Sequence, residues 1–182
     1  MPGPKLPDLR IRRTRATLRE ALLALLREKP FDQITIREIT ARGGVGYASY
    51  FRHYPNKDAL LHAVAEEEIG TLIERTLPMV ATDNRSAALE LCRYVSEQAA
   101  TWTALLSGGA AGLIRAEFLR QAMAVETPIS PLPWLPRDLA ITYSVSSTFE
   151  ILAWWLPRRD EFAVENVARI LDQLIMTPLT LR

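Results

Sequence analysis

This 182-residue chain has two histidines and one cysteine, the side chains that most often bind transition metals or act as nucleophiles. His53 and His62 lie nine residues apart, outside the i, i+4 spacing that brings two ligands to one helix face. Cys92 has no CxxC partner, so we expect it to pack as a small buried residue. The glycines of segment 43–46 follow a predicted helix rather than a strand, which favours a turn over a phosphate-binding loop. We therefore expect no enzyme activity, no metal and no cofactor.

The basic side chains are unevenly distributed, although the net charge of the chain is only +1. Residues 1–60 carry 12 Lys and Arg against 6 Asp and Glu, whereas residues 61–182 carry 10 against 15. A basic N-terminal part on an acidic remainder is typical of a protein that meets a polyanion at one end. The alternative, a chance scatter of surface charge, stays open on this observation alone.

The elements that position these residues are helices separated by proline and glycine, and strand-like alternation is nearly absent. The pattern predicts an all-α fold. The helices are expected at about Ile11–Lys29, Thr35–Arg42, Tyr47–His53, Lys57–Thr76, Ser86–Leu106, Ala111–Val125, Arg137–Leu156 and Asp160–Met176. The predicted divisions are a flexible arm (1–10), a helix-turn-helix domain (11–56), a connecting helix (57–77) and a helical C-terminal domain (78–182).

A helix-turn-helix is predicted over residues 35–54. The sequence TIRE that begins at Thr35 fits a capping box, in which the Thr35 and Glu38 side chains each bind the backbone amide of the other residue. The glycine pair 43–44 lets the backbone leave this helix with positive φ, and a second short helix follows. Two short helices joined by a tight glycine-containing turn form the unit that places its second helix in the major groove of DNA.

The segment 35–61, TIREITARGGVGYASYFRHYPNKDALL, resembles the DNA-binding domain of the tetracycline-repressor (TetR) family. The capping box, the Gly-Val turn, the aromatic pair and the Pro-Asn-Lys-Asp-Ala-Leu-Leu ending occur in the family's order. The resemblance spans residues 11–64, and beyond residue 78 it rests on helix content and length alone. It implies an N-terminal three-helix helix-turn-helix DNA-binding domain followed by a helical-bundle ligand-binding and dimerisation domain, with double-stranded DNA as partner.

The resemblance also assigns DNA contacts residue by residue. The positions matched to contacts with phosphates or base edges are Thr35, Arg37, Gly46, Tyr47, Ala48, Ser49, Arg52, His53 and Lys57. The chemistry agrees, because Arg and Lys neutralise phosphates and hydroxyls bond to phosphates or bases. Two departures are Gly46, where the family often has a capping Ser or Thr, and the reversed aromatic pair, whose second ring, Phe51, cannot donate to a phosphate.

Several of these residues have an alternative that stays open. Thr35 could serve as a helix cap alone, and Tyr50 and Tyr54 could be core residues. The basic residues of the N-terminal arm could enter a minor groove or form a solvated tail.

The C-terminal domain, by the same resemblance, binds a small ligand and dimerises through its last two long helices. The side chains that could line an apolar ligand cavity are Trp102, Phe118, Met123, Trp134, Tyr143 and Phe149. The side chains expected at a two-fold, four-helix interface are Leu152, Trp154, Trp155, Val164, Val167, Ile170, Leu171 and Leu174. For each cavity aromatic, plain core packing is the open alternative.

The predicted function is a DNA-binding transcriptional regulator, a repressor that binds a palindromic operator as a homodimer and is released by a small apolar ligand. One alternative is a helix-turn-helix factor without a ligand, controlled by a protein partner; another is a helical enzyme or carrier. The N-terminus lacks a signal-peptide pattern, and the longest leucine-rich stretch, 21–26, is far short of the ~20 residues that span a bilayer. With a single cysteine, the chain fits a reducing cytosol, so we expect a cytoplasmic protein with no membrane partner.

Overall fold

A computed structural model describes residues 6–80, 83–106, 111–125 and 132–179. These residues form helices and contain no β-strand, which confirms the predicted all-α class. In chain order the α-helices are α1 (Leu6–Leu26), α2 (Ile36–Arg42), α3 (Tyr47–Tyr50), α4 (Lys57–Val80), α5 (Asn84–Glu97), α6 (Ala99–Leu106), α7 (Ala111–Ala124), α8 (Arg137–Trp155), α9 (Val164–Leu171) and α10 (Thr177–Leu179). We call α1–α3 the head and α5–α10 the body; α4 joins them.

Three shorter elements complete the described structure. Two are 3₁₀ turns, Phe31–Gln33 between α1 and α2 and Leu156–Arg158 after α8. The third is a π-helical segment, Asp172–Met176, that connects α9 to α10. The helix expected at 160–176 therefore begins later, at Val164, and is π-helical in its second half.

The head folds around the apolar stripe of α1. Leu18 and Leu22, one turn apart, are fully buried and belong to one cluster with Ile39 of α2 and Tyr50 of α3. The cluster continues into α4 through Leu60. Because α3 is anchored from this side, its remaining side chains point away from the core.

The capping box predicted at the start of α2 is present. Thr35 Oγ1 accepts a hydrogen bond from the Glu38 amide at 3.3 Å, and the Thr35 amide donates to Glu38 Oε2 at 2.9 Å. The turn after α2 passes through Gly44, whose φ of 61° lies in the left-handed region that favours glycine. Local chemistry therefore determines where α2 begins and how the chain turns toward α3.

Several helix boundaries differ from the sequence-based expectation. The first helix begins at Leu6, so residues 6–10 are helical rather than part of an arm, because a proline is tolerated in the first turn of a helix. Residues 1–5 lie outside the described part of the chain. The α-helical part of α3 ends at Tyr50, and turns replace it over 51–53.

The boundaries of α4 and α5 also differ. The fourth helix continues through Pro78 to Val80 instead of ending at Thr76, because a proline near a helix end removes one backbone hydrogen bond without stopping the last turn. The helix expected at 86–106 is divided at Gln98 into α5 and α6.

A buried polar contact joins the head to the body across α4. The Glu68 carboxylate accepts hydrogen bonds from Arg19 of α1 and, at 3.0 Å, from the Tyr94 hydroxyl of α5. The residue is only 4% exposed. The Tyr94 ring packs edge-on against Trp102 of α6, with 6.4 Å between the ring centroids. Helices from the head, the connection and the body therefore meet at one carboxylate.

In the body, α5 and α7 both pack against α4. Helix α5 contacts α4 on one side and α9 on the other, while α7 lies between α4 and α8. Cys92 of α5 is buried as expected, and burial raises the pKa of its thiol to about 12. Among the described residues, no helix is both long and apolar enough to cross a membrane.

Candidate nucleic-acid interface and ligand cavity

The candidate surface for DNA recognition is the outer side of α3. Tyr47 is 50% exposed and Phe51, directly after the helix, is 45% exposed, whereas Tyr50 between them is fully buried. The Tyr50 hydroxyl donates to the Asn56 carbonyl at 3.0 Å, so this tyrosine is a core residue that ties α3 to the start of α4. Ala48 is exposed beside Tyr47. Helix α3 therefore turns one aromatic ring inward and presents two outward.

Two arginines border these exposed rings. The Arg37 guanidinium of α2 lies 5.9 Å from the centroid of the Tyr47 ring, and the Tyr47 and Phe51 rings meet edge-on at 5.3 Å. Arg52 donates to Ser49 Oγ at 2.9 Å. We call the surface formed by Arg37, Tyr47, Ala48, Phe51 and Arg52 the α3 face. It combines flat rings, which contact bases and sugars, with cations, which attract phosphates.

Thr35 stands beside this face with its hydroxyl already engaged. In addition to accepting from the Glu38 amide, Thr35 Oγ1 donates to Glu38 Oε2 at 2.8 Å. Lys29 donates to Oε1 of the same carboxylate at 2.5 Å. These hydrogen bonds, from Lys29 first and then from Thr35, lower the pKa of Glu38 to about 2. Thr35 therefore caps α2, and its contact with DNA stays a prediction.

Lys57, predicted to bind a phosphate, uses its ammonium group within the head. It donates to the carbonyls of Phe31, Asp32 and Ile34 at 2.9, 3.1 and 3.0 Å, and lies 4.6 Å from the Phe31 ring centroid. An ammonium has three donors, and all three are occupied here. A phosphate contact by Lys57, which stays a prediction, would require the ammonium to exchange at least one of these carbonyls.

Positive charge continues from α3 onto α1. Partial burial and the neighbouring cations Arg15 and Arg52 lower the pKa of His53 from its ordinary value of 6.5. The Arg15 guanidinium also lies 5.9 Å from the Tyr54 ring centroid. Sequence reasoning missed Arg15, although its place among four arginines within residues 12–19 was a visible signal.

The body contains a cavity of about 210 Å³ between α4, α5, α7, α8, the π-helical segment and α10. Its wall is mainly apolar. The residues that line it are Ile73, Thr76, Leu77, Val80, Asn84, Leu91, Phe118, Ala122, Val125, Arg137, Ala140, Ile141, Ser144, Val145, Thr148, Ile175, Met176 and Leu179. Six separate elements thus contribute to one small, largely apolar space.

The structure brings few of the predicted ligand residues to this wall. Of the six, Phe118 lines the cavity, and Phe149 packs edge-on behind it with 5.4 Å between the centroids. Trp102 is fully buried in the core, whereas Trp134 and Tyr143 point to the surface. Met123 is half-buried and does not reach the cavity. Aromatic character alone did not reveal which side of each helix faces the cavity.

The predicted dimerisation residues also divide into groups. Four of them are covered by the chain's own helices: Leu152, Trp155, Val167 and Leu171. Val164 and Ile170 are half-buried. Trp154 and Leu174 remain exposed, on α8 and on the π-helical segment after α9. The apolar surface open to a partner is therefore smaller than the sequence pattern indicated.

Comparison with known proteins agrees with this architecture. Residues 18–64 match the family model described as bacterial regulatory proteins, tetR family. The chain is 35% identical over 68 residues to an uncharacterized HTH-type transcriptional regulator of Bacillus subtilis, covering 37% of this chain and 18% of the relative. It is 32% identical over 116 residues to one of Mycobacterium bovis, covering 59% of this chain and 54% of the relative. The matched part thus spans at most about half the length of these relatives.

Solved structures share the fold at low sequence identity. A TetR transcriptional regulator from Streptococcus agalactiae matches with a TM-score of 0.67 and 20% identity, covering 94% of this chain and 98% of the other. FadR from Bacillus subtilis, solved with stearoyl-CoA, matches with a TM-score of 0.61, 14% identity and coverage of 90% and 98%. RolR, solved with resorcinol, matches with a TM-score of 0.59, 19% identity and coverage of 96% and 91%.

The chain thus shares its overall fold with these solved structures. Residues 18–64 carry the match to the tetR family of bacterial regulatory proteins, and the chain is similar to HTH-type transcriptional regulators.

Proposed function

We propose that this protein is a transcriptional repressor that binds a palindromic operator as a homodimer and is released by a small ligand. The α3 face carries the proposal, because exposed aromatic rings beside arginines have no role in the core below them. Tyr47 is held by α3 from one side and by the Arg37 guanidinium from another. A side chain fixed in this way presents one geometry to a base edge, as sequence-specific contact requires.

The surrounding residues fit supporting roles in DNA binding. In the proposal, Arg37 and Arg52 neutralise phosphates on either side of Tyr47, and Thr35, Gly46, Ala48 and Ser49 border the groove. Gly46 precedes α3 without a side-chain cap, and an added Cβ would meet only Ser49 Cβ, at 4.0 Å. The DNA backbone can therefore approach the start of α3 closely.

The homodimer is supported by exposed apolar side chains on the last helices. Trp154 of α8 is stabilised on one side by Phe162, with 4.9 Å between the ring centroids, and by the Arg158 guanidinium at 5.4 Å. Its other surface and the Leu174 side chain are open to a partner. A two-fold dimer would also place two copies of α3 in successive major grooves, which lie about 34 Å apart.

Release by a ligand is supported by the position of the cavity. Its wall includes Ile73, Thr76, Leu77 and Val80 of α4, the helix whose first residues contact the head. An occupant that favours one arrangement of α4 would change DNA affinity in proportion to its preference for that arrangement. The ligands in the FadR and RolR structures belong to those proteins and support a ligand-binding fold here by analogy.

Duplex selection from a random pool tests the proposal directly. We expect the selected duplexes to share a palindrome, which would report both specific binding and two-fold symmetry. Selection of an asymmetric half-site would contradict the homodimer, and failure to enrich any sequence would contradict the repressor assignment.

A matched pair of arginine variants then locates the interface. We expect Arg37→Ala to weaken duplex binding about tenfold and to reduce the dependence of log Kd on log salt by roughly 0.9, the loss of one phosphate contact. Arg93→Ala removes an exposed arginine from α5 and serves as the control, with both quantities unchanged. Equal binding by the parent and both variants would place the interface elsewhere. Tyr47→Ala should instead alter the preferred operator sequence.

A further inference from the structure

One hydroxyl on the cavity wall forms no hydrogen bond with the described residues. Thr148 of α8 lines the cavity and is only 7% exposed. Its Oγ1 forms no hydrogen bond with any described residue, and it is not sealed away from the cavity space. The Oγ1 atom therefore keeps accessible surface, and it can donate and accept one hydrogen bond each with a molecule in the cavity.

The other two hydroxyls on the wall differ from Thr148. Ser144 Oγ donates to the Ala140 carbonyl at 2.7 Å, and Thr76 Oγ1 donates to the Leu72 carbonyl at 2.9 Å. Each hydroxyl hydrogen is thus used within its own helix, as is common for Ser and Thr in helices. Thr148 is the hydroxyl of the described wall that keeps both its donor and its acceptor capacity available.

The scarcity of charged side chains on the cavity wall disfavours an ionic occupant. Among the described lining residues, Arg137 is the one with a charged side chain. It is exposed, and its Nη2 donates to the Val125 carbonyl at 2.8 Å and to the Met123 carbonyl at 3.4 Å. The remaining wall offers apolar surface, one asparagine and the three hydroxyls. A cation placed there would lose hydration without gaining a countercharge, and an anion would find only Arg137, whose Nη2 already donates to two backbone carbonyls.

The size of the cavity limits the occupant further. An apolar cavity of about 150 Å³ accommodates benzene, and pockets for drug-sized molecules begin at about 300 Å³. The cavity volume of about 210 Å³ falls between these values. It therefore suits one ring, or an equally compact hydrocarbon, with a short substituent.

We propose that the cavity binds an uncharged molecule about the size of one aromatic ring, with a single hydrogen-bonding group placed against the Thr148 hydroxyl. The inference deepens the proposed function, because this molecule would be the releasing ligand. Thr148 then determines specificity: it distinguishes a ring that bears a hydroxyl from one that bears a methyl group in the same position.

Calorimetric titration of the full chain with phenol and with toluene tests this inference, because the two probes differ only in the group that would face Thr148. Phenol is more strongly hydrated than toluene, so the quantity to compare is the ratio of their Kd values in the parent and in Thr148→Val. This variant replaces the hydroxyl by a methyl group of similar size. Thr142→Val is the matched control, because Thr142 is exposed on the same helix.

The expected result is a change in that ratio of about threefold to tenfold in Thr148→Val, in the direction that weakens phenol, as for one net hydrogen bond. The ratio should be unchanged in Thr142→Val. Benzoate, which is similar in size but charged, should bind more weakly than phenol. An unchanged ratio in Thr148→Val, no binding of either neutral probe to the folded parent, or tighter binding of benzoate would each overturn the inference.

The outcome is separable from that of the proposed function. If the chain selects a palindromic duplex but binds neither neutral probe, the DNA-binding regulator stands and the ligand class is wrong. If the probes bind with the expected Thr148 dependence but no duplex is selected, the ligand class stands and the repressor is wrong.

Discussion

Two buried polar residues, Glu68 of α4 and Thr148 of α8, have opposite environments. Glu68 of α4 receives hydrogen bonds from Arg19 and Tyr94, which belong to two other helices. Thr148 of α8 is nearly as buried and has no partner among the described residues. A satisfied polar group can hold helices together, whereas an unsatisfied one weakens the fold unless something else binds it. Satisfaction, rather than burial, separates a structural polar residue from a binding one.

The substitution Glu68→Gln should have the largest effect on stability. The substitution removes the charge that pairs with Arg19 and leaves the guanidinium partly buried without its closest carboxylate. Breaking a buried ion pair on one side costs about 3–5 kcal/mol, and we expect about 3 kcal/mol here because Arg19 reaches solvent. Urea unfolding measures the change. Glu74→Gln, on the exposed side of the same helix, is the control, and a loss below 1 kcal/mol for Glu68→Gln would show that the junction is not held by this charge.

Tyr94→Phe should have a smaller effect of the same kind. It removes one hydrogen bond to the Glu68 carboxylate and keeps the edge-on contact with Trp102. We expect the free energy of unfolding to fall by about 1.5 kcal/mol. Because both residues belong to one network, the double variant with Glu68→Gln should lose less than the sum of the two. Additive losses would contradict a shared network.

His53 is a partly buried polar residue of the head that also lacks a hydrogen-bonding partner for its side chain among the described residues. Partial burial, followed by the nearby cations Arg15 and Arg52, lowers the pKa of its imidazole from 6.5. In the proposed complex, phosphates would reverse the effect of those cations and raise the pKa. The complex would then bind more protons than the free protein, so duplex affinity should increase as pH falls through the interval between the two pKa values.

We expect duplex affinity to increase between pH 7.5 and pH 6, and this increase should be about twofold to fivefold larger in the parent than in His53→Asn. One pKa unit corresponds to a factor of ten in affinity. Fluorescence anisotropy with a labelled operator at constant ionic strength measures it. An identical pH dependence in both proteins would place His53 away from the phosphates.

The substitution Thr148→Val should have the smallest effect on stability, and it tests the contrast between Thr148 and Glu68 most directly. Thr148→Val without ligand should leave the free energy of unfolding within about 0.5 kcal/mol of the parent or raise it slightly, because the methyl group replaces a hydroxyl that has no partner. Urea unfolding again provides the measurement. A loss above 1 kcal/mol would mean that Thr148 has a structural hydrogen bond, and the contrast with Glu68 would disappear.

Local chemistry made the head predictable from the sequence. The capping box at Thr35 and the left-handed turn at Gly44 depend on residues a few positions apart, so their signals are complete within a short segment. The split of the predicted 86–106 helix at Gln98 was not predictable, because no proline or glycine marks it.

The ion pair and the cavity lie beyond such local reasoning. Arg19 and Glu68 are 49 positions apart, and neither residue type indicates burial. The cavity wall is assembled from six elements, so its lining depends on how the helices rotate against one another. Trp102 and Tyr143 illustrate this, because one is sealed in the core and the other faces outward. Their aromatic character is the same, and only the packing of their helices distinguishes them.

Helix α4 has a mechanical consequence for the size of the response that a small occupant can produce. It runs unbroken for 24 residues, from Lys57 at the base of the head to Val80 on the cavity wall. At 1.5 Å per residue this rod is about 36 Å long, so a tilt of about 5° at one end displaces the other by about 3 Å. In the proposed switch, a ring-sized molecule would move α4 by less than 1 Å near the cavity, and the length of the helix would enlarge that movement at Lys57, the end that faces DNA in the proposal.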